Sequence, residues 1–225
     1  MGPIQLVVFD LAGTTVDDGG MVLTCLVETA RAHDLPGTPE ELNALMGMNK
    51  REVFGMLAAR RYRAGSPEAE RVADEAMATF VVRMRAAYER HLAPMPGAEE
   101  TFAFLRGRGI KVATDTGFDA TIGGLIMDRL DWPGRLIDLA IFSSDVAQGR
   151  PAPYMIFRAM ERLGVLDVRQ VMKVGDSPAD LEEGCNAGCG EVIGVLSGSG
   201  TAAMLGPYRH TRLLESVADL PALFR

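Results

Sequence analysis

The stretch VVFDLAGTT, residues 7–15, constrains the fold of this chain more than any other. Val7, Val8 and Phe9 form an apolar run that is typical of a short strand buried on both faces of a parallel sheet. Asp10 follows directly, where that strand ends. Because ligands of open α/β sheets bind beyond the carboxyl ends of the strands, this carboxylate is well placed for chemistry. A carboxylate that only caps the next turn is the structural alternative.

Charge and composition narrow the class of protein. The chain has 225 residues, of which 48% are hydrophobic and 24% charged, enough for one large core and a smaller module. Its formal net charge of -7 argues against a nucleic-acid partner, which would need a basic face. No apolar run has the length of a membrane span, and Asp10 comes too early for a signal peptide, so we expect a cytoplasmic protein without a membrane partner.

The order of periodic segments predicts two parts. Patterns typical of helices fill the region up to His91, whereas from Ala98 onward helices alternate with short β-rich runs, as a parallel sheet requires. The sequence therefore predicts an α/β fold: a Rossmann-like core domain of residues 1–16 and 93–225, with an inserted α-helical cap domain of residues 17–92. The polar, glycine-rich residues 16–20 and the segment 91–97 are the expected hinges.

A second strand ends in carboxylates. In VGDSPAD, residues 174–180, Ser177 is predicted to cap the next helix, which places Asp180 in its first turn. That role explains Asp180 but not Asp176, which precedes the cap. If Asp10 and Asp176 converge from neighbouring strands, they form the oxygen-rich kind of site that Mg²⁺ prefers.

Two further segments carry groups that suit a phosphate. Thr116 and Gly117 end a predicted strand and offer a hydroxyl and an unobstructed backbone N–H. Arg150 offers a guanidinium, whose forked N–H groups match phosphate geometry.

Four motifs together resemble the haloacid dehalogenase superfamily: DLAGTT at 10–15, DTG at 115–117, GRPAPYM at 149–155 and GDSPAD at 175–180. The resemblance implies that Asp10 is the nucleophile that accepts a phosphoryl group. It also implies that Asp10, Asp176 and the backbone carbonyl of Ala12 bind Mg²⁺ and that Asp180 supports this site. The residues expected to contact substrate or phosphate are Ala12, Gly13, Thr116, Gly117 and Arg150.

Ala12 departs from the pattern of the superfamily's phosphatases. They generally carry a second aspartate at that position, which protonates the departing alcohol and later activates water. An alanine cannot do either. A phosphatase of small phosphate monoesters with a substituted acid therefore stays open, as does a catalytically lapsed protein that only binds a phosphometabolite.

Within the superfamily the chain resembles phosphonoacetaldehyde hydrolases, which have alanine in DxAGT, arginine in GRPxPxM and a cap lysine in MGxxK. Here that motif spans Met46, Gly47 and Lys50. The resemblance implies that Lys50 forms an imine with a substrate aldehyde, so that the electrons of a broken phosphorus–carbon bond enter an enamine. Asn49 is predicted to cap a helix, and the helix end and partial burial favour a lowered pKa for Lys50. Met46 and Gly47 are expected to line the pocket beside it.

Three differences from that family leave the substrate open. Val53 stands where the family has a histidine, Gly20 where it has a cysteine and Phe118 where it has a tyrosine. A small phosphonate is the expected substrate, and a carbonyl-bearing phosphate is the alternative. A homodimer through the cap helices is common in the resembling family and is expected here.

Overall fold

A six-stranded parallel sheet forms the centre of the molecule in the computed structural model, which describes residues 3–224. Within these residues there are eight strands: β1 (Leu6–Phe9), β2 (Val16–Asp17), β3 (Ala93–Pro94), β4 (Lys111–Thr116), β5 (Leu139–Phe142), β6 (Val171–Gly175), β7 (Glu191–Val195) and β8 (Arg212–Leu214). The order in the large sheet is β5-β4-β1-β6-β7-β8, with every neighbouring pair parallel. The predicted α/β fold is confirmed.

Nine α-helices of the described residues lie between these strands. They are α1 (Met21–Ala32), α2 (Pro39–Ala44), α3 (Lys50–Ala59), α4 (Pro67–Arg90), α5 (Ala98–Gly107), α6 (Ala120–Leu130), α7 (Tyr154–Leu163), α8 (Pro178–Ala187) and α9 (Ala202–Leu205). Short 3-10 helices span Ser143–Asp145, Val168–Gln170 and Val217–Phe224. The last of these is predicted as helical, and Pro221, which lacks an N–H, keeps it from an α-helical bonding pattern.

Strand β1 lies in the middle of the large sheet, between β4 and β6. All four of its residues are buried, as the apolar run predicts. One face packs through Phe9, whose ring lies 5.1 Å from that of Phe102 in an edge-to-face arrangement. This central position puts the residue after β1 beside the ends of both neighbouring strands.

Helices α1 to α4 make up a helical insertion, residues 18–92, in which the structure places no strand. Strands β2 and β3 pair antiparallel at its two ends, through Val16 with Pro94 and Asp17 with Ala93. The sequence predicts hinges at these positions and misses the pairing, because two-residue strands show no periodicity and their partners are distant in the chain. The predicted division into cap and core at residues 17–92 remains a prediction, and residues 1, 2 and 225 of the predicted core lie outside the described residues.

The helical insertion and the sheet share one hydrophobic cluster. Phe118, in the loop after β4, packs its ring 6.5 Å from Phe80 and 6.4 Å from Tyr88, both in α4. All three side chains are buried. The insertion is therefore seated directly on the edge of the sheet where β1, β4 and β6 end. Among the described residues, no helix combines the length and the apolar character needed to cross a bilayer.

Candidate active site

The carboxyl ends of β1, β4 and β6 bring three predicted residues together. Asp10 follows β1, Thr116 ends β4, and Asp176 follows β6. Their exposed fractions are 4%, 3% and 3%. Because parallel strands end at one edge of the sheet, neighbours in space come from segments far apart in the chain.

A small cavity at this edge is lined by most of the predicted site residues. The helical insertion contributes Met46, Gly47 and Lys50 to its wall. The core contributes Asp10, Ala12, Thr116, Gly117 and Asp176. Val22, Phe118 and Ser199, which the sequence does not single out as site residues, complete the lining. Gly13 lines an adjoining cavity that shares Ala12, Met46, Asp176 and Ser199 with this one.

Arg150 lies beneath the cavity, fully buried among carboxylates. Its Nη1 donates to Oδ1 of Asp10 at 2.6 Å and lies 2.9 Å from Oδ1 of Asp180. Its Nε donates to Oε2 of Glu183 at 3.0 Å, and its Nη2 donates to both carboxylate and backbone oxygens of Asp115. Its predicted contact with phosphate stays a prediction, because protein oxygens now engage each of its nitrogens.

Lys173 lies in β6 and is fully buried. No motif or spacing in the sequence predicts a role for it. Its Nζ contacts the carboxylate of Asp115 and lies 2.9 Å from Oε2 of Glu183 and 3.3 Å from Oδ1 of Asp180. Burial lowers the pKa of Lys173, but these carboxylates raise it more, so it lies above its usual value. A lysine inside a strand that is apolar on both sides needs buried partners, and that is the signal that could have found it.

The buried charges do not balance. In and around the cavity, five buried carboxylates accompany three buried cations. The carboxylates are those of Asp10, Asp115, Asp176, Asp180 and Glu183, and the cations are Lys50, Arg150 and Lys173. Burial, followed by the neighbouring carboxylates, raises the pKa of Asp10 to about 8 and that of Glu183 to about 8. Burial and Asp180 raise the pKa of Asp176 to about 6. When all five carboxylates are ionised, the cluster carries two surplus negative charges, which a divalent cation such as Mg²⁺ would balance through hard oxygen donors.

One group of carboxylates could hold a metal ion: Asp10, Asp115 and Asp180 each have an oxygen within 4.8 Å of the other two. Asp176 instead accepts hydrogen bonds from Ser199, at 2.6 Å from its N–H and 2.8 Å from its hydroxyl. The predicted pairing of Asp10 with Asp176 as metal ligands thus stays a prediction, although both line the same cavity.

Asp180 occupies the first turn of α8, as the sequence predicts. Ser177 caps this helix, and Oδ2 of Asp180 accepts from the Ser177 hydroxyl at 2.5 Å and from its N–H at 3.2 Å. A side chain at Gly175 would put its Cβ 2.2 Å from Cγ of Asp180, so only glycine allows this approach. The cap thereby holds the other oxygen of Asp180 towards Arg150.

Lys50 is the first residue of α3, and Asn49 is its cap, both as predicted. Only 3% of Lys50 is exposed, its Nζ donates to the carbonyl oxygen of Met48 at 3.0 Å, and it lies 5.9 Å from the ring centroid of Phe118. Burial lowers the pKa of Lys50 to about 8, against the opposing effect of Asp10. Of the two buried lysines, Lys50 is the one whose amine is shifted towards the neutral form.

Two glycines let the helical insertion approach the core backbone. A Cβ on Gly117 would lie 2.5 Å from the carbonyl oxygen of Gly47 and 2.6 Å from that of Met48. A Cβ on Gly47, whose φ is +81°, would lie 2.1 Å from Oγ of Ser177. The Met-Gly motif is therefore seated on the core loops after β4 and β6, and this contact places Lys50 in the cavity.

The three positions that differ from the resembling family hold two apolar residues and a glycine here. Val53 is fully buried in α3, Phe118 is buried against α4, and Gly20 is exposed at the start of α1 with φ +74°. None of the three can transfer a proton.

Comparison with known proteins decides the family. A family model described as haloacid dehalogenase-like hydrolase matches residues 4–188. The chain belongs to this hydrolase family. The family predicted from its four motifs is thus confirmed.

Curated relatives of this hydrolase include phosphonoacetaldehyde hydrolases. The Vibrio cholerae protein of that name is 32% identical over 98% of this chain and 93% of its own length. The Paraburkholderia xenovorans protein is 32% identical over 88% of this chain and 78% of its own length.

Solved structures support the fold of this hydrolase. A phosphonoacetaldehyde hydrolase-like protein from Oleispira antarctica has a TM-score of 0.79 and 23% identity, covering 99% of this chain and 91% of its own. A putative β-phosphoglucomutase from Bacteroides vulgatus has a TM-score of 0.82 and 19% identity, covering 99% and 88%.

Proposed function

We propose that this hydrolase cleaves the phosphorus–carbon bond of a small phosphonate that carries an aldehyde, with phosphonoacetaldehyde as the simplest substrate. One observation carries the proposal: the amine of Lys50 and the carboxylate of Asp10 line one cavity in which position 12 is an alanine. A nucleophilic amine and a carboxylate are thus available, and the proton donor of ester hydrolysis is missing.

The proposed reaction uses Lys50 as an electron sink. Its amine adds to the aldehyde carbon, and loss of one water gives a protonated imine. An oxygen of Asp10 then attacks phosphorus, the carbon–phosphorus bond breaks, and its electron pair moves into the imine to form an enamine. Protonation at carbon and hydrolysis release acetaldehyde and restore the amine, while a second water converts the aspartyl phosphate to inorganic phosphate.

The environments of the two buried lysines support this assignment. The amine of Lys50 has one backbone carbonyl as its hydrogen-bond acceptor, and its lowered pKa leaves part of it neutral near pH 8. Lys173 contacts three carboxylates, which hold it in the ammonium form. An ammonium has no lone pair to attack an aldehyde, so Lys173 is not a candidate.

Mg²⁺ is the metal that this site would take. In our proposal Asp10, Asp176 and the backbone carbonyl of Ala12 hold it, and Asp180 supports them from the first turn of α8. When bound, Mg²⁺ neutralises negative charge on the phosphoryl oxygens. The hydroxyl of Thr116 and the backbone N–H of Gly117 are proposed to bind those oxygens, with Gly13 in contact with the substrate. Arg150 is proposed to add positive charge beneath them.

We also propose that residues 17–92 act as a cap domain over the core of residues 1–16 and 93–225. The paired strands β2 and β3 join the two parts, and Phe118 packs against α4 between them. A closed cap would exclude water from the imine and the aspartyl phosphate. The homodimer expected from the resemblance stays a prediction.

Borohydride trapping tests the proposal directly. The protein is incubated with phosphonoacetaldehyde and Mg²⁺, reduced with sodium borohydride, digested and mapped by mass spectrometry. The chain has three lysines, Lys50, Lys111 and Lys173, so the modified site is unambiguous. We expect an N-ethyl or N-phosphonoethyl adduct on Lys50, phosphate release in parallel, and loss of both in Lys50→Arg.

Lys111→Arg is the matched control, because Lys111 lies at the start of β4 and is not in the cavity lining. It should retain the adduct and the phosphate release. Turnover of an alkyl phosphate that survives Lys50→Arg, without any adduct, would contradict the proposal and indicate a phosphomonoesterase. Binding of the phosphonate without adduct or product would indicate a lapsed binding protein.

A further inference from the structure

We infer that Asn49 is a positioning residue: its side chain latches the helix that begins with Lys50 to the core loop that leads to Arg150. The inference deepens the proposed function and rests on it for the role of Lys50. The latch itself consists of contacts between Asn49, Ser143 and Gly149.

Asn49 uses both ends of its carboxamide. Its Oδ1 accepts hydrogen bonds from the N–H of Arg51 at 2.8 Å and of Glu52 at 3.2 Å, which caps α3. Its Nδ2 donates to Oγ of Ser143 at 3.0 Å. One side chain therefore caps the start of α3 in the insertion and also bonds to the core.

The residues on the core side of the latch are buried. Ser143 begins the 3-10 helix after β5 and is 3% exposed. Gly149 is also buried, and a Cβ there would lie 3.4 Å from Cβ of Asn49 and 3.7 Å from Cβ of Ser143. The three residues thus pack together, and the next residue of the chain is Arg150.

Arg150 links this loop to Asp10, the proposed nucleophile. Its Nη1 donates to Oδ1 of Asp10 at 2.6 Å and to the carbonyl oxygen of Gly47 at 3.4 Å. Lys50 and Asp10 are thus placed by one continuous set of contacts, which runs through Asn49 and the loop from Ser143 to Arg150. Opening of the latch would move the amine and leave the carboxylate where it is.

An asparagine is suited to both bonds. Serine and aspartate can cap a helix through an oxygen, but a serine side chain is too short to span both partners, and a carboxylate has no hydrogen to donate. The two functions can therefore be separated by substitution. Asn49→Ser keeps a cap and removes the donor to the core, and Ser143→Ala removes the acceptor and keeps the cap.

The test combines three measurements on the full-length chain. Hydrogen exchange of peptides within residues 43–59, measured without substrate, reports opening of the latch. The rate of borohydride trapping with phosphonoacetaldehyde reports whether the Lys50 amine is positioned to attack the aldehyde. Steady-state kinetics separate effects on kcat from effects on KM. Thr38→Ala is the control, because Thr38 caps the neighbouring exposed helix α2 within the insertion and its side chain bonds only there.

We expect Asn49→Ser and Ser143→Ala to quicken exchange of this segment about two- to tenfold, the effect of one hydrogen bond, and to lower kcat by a similar factor with KM nearly unchanged. The double variant should match the single ones, because both remove the same bond. Thr38→Ala should leave the trapping rate and kcat as in the wild type. The temperature of thermal unfolding should differ little between the wild type and the four variants.

The outcomes separate this inference from the proposed function. If Ser143→Ala exchanges and traps at the wild-type rate, the latch is refuted whatever the reaction is. If exchange quickens in both latch variants but no adduct forms in the wild type, the latch stands and the imine mechanism fails. If adducts form equally in all variants, the imine mechanism stands and the latch is refuted.

Discussion

Arg150 donates from Nη1 to Oδ1 of Asp10 at 2.6 Å, and both side chains are buried. The same guanidinium contacts Asp115, Asp180 and Glu183. Arg150 thus contacts carboxylates from the end of β1, from β4 and from α8, and Lys173 contacts those of β4 and α8 as well. Breaking such a group by removing one partner costs far more than the intact ion pairs contribute, because buried charges are left without compensation.

Arg150→Met should therefore be strongly destabilising. We expect the free energy of unfolding to fall by about 3–5 kcal/mol in denaturant titrations. The control is Arg158→Met in α7, whose 3.7 Å ion pair with Glu161 is exposed at both ends and should contribute less than about 1 kcal/mol. Equal losses in the two variants would show that the buried carboxylates do not depend on Arg150.

The rate of imine formation should rise with pH and level off near pH 8. Burial lowers the pKa of Lys50 to about 8, so the ammonium, which cannot attack an aldehyde, is the main form below that pH. The neutral amine predominates above it, and an ordinary lysine would continue to gain nucleophilicity up to about pH 10. The measurement is the initial rate of the borohydride-trapped adduct between pH 6 and 10. A rate that still climbs tenfold per pH unit above 9 would place the pKa at its ordinary value.

Gly117→Ala should prevent the helical insertion from seating on the core. Its Cβ would lie 2.5 Å from the carbonyl oxygen of Gly47, which forces this backbone away and carries Lys50 with it. We expect trapping at Lys50 to fall by about two orders of magnitude, as misplacement by an ångström does in enzyme sites. Gly124→Ala in α6, where a Cβ meets nothing within 4 Å, is the control and should trap normally. Trapping by Gly117→Ala at the control's rate would refute the seating argument.

Ala12→Asp should introduce the general acid that this chain lacks. Its position lines the cavity beside Asp10 and Lys50, so a carboxyl group there can reach a leaving oxygen. We expect hydrolysis of an alkyl phosphate to rise by roughly 10²-fold or more. Ala12→Asn, similar in size but unable to give a proton, should show no such gain. The leaving group of nitrophenyl phosphate needs no proton, so its rate of hydrolysis should change little in either variant. A rate increase seen only with nitrophenyl phosphate would argue against acid catalysis by the new aspartate.

Mg²⁺ should stabilise the folded chain against heat. A divalent cation would balance the two surplus negative charges of the fully ionised cluster. A ligand that binds only the folded state raises the unfolding temperature. We expect a rise with MgCl₂ that NaCl of equal ionic strength does not produce. Asp176→Asn should reduce this rise if Asp176 is a ligand as proposed. An unchanged rise would instead indicate that Asp10, Asp115 and Asp180 hold the metal.

Local patterns in the sequence determined much of this protein. The apolar run at Val7–Phe9 predicts β1, because a strand buried on both faces needs continuous apolar residues. Asn49 and Ser177 predict the starts of α3 and α8, because a side-chain oxygen satisfies N–H groups only a few residues away. The four motifs identified the family, since their order and residue types lie in the chain itself.

Tertiary structure alone decided which groups face each other. The pairing of β2 with β3, the ion pairs of Lys173 with Asp115 and Glu183, and the bond from Asn49 to Ser143 join residues from separate segments. Arg150 shows the same limit: its motif predicts a phosphate contact, while its surroundings are four carboxylates. Helix caps and buried strands depend on residues that are neighbours in the chain. Charge balance and contacts across the cavity depend on how distant segments pack, and no local sequence pattern contains that information.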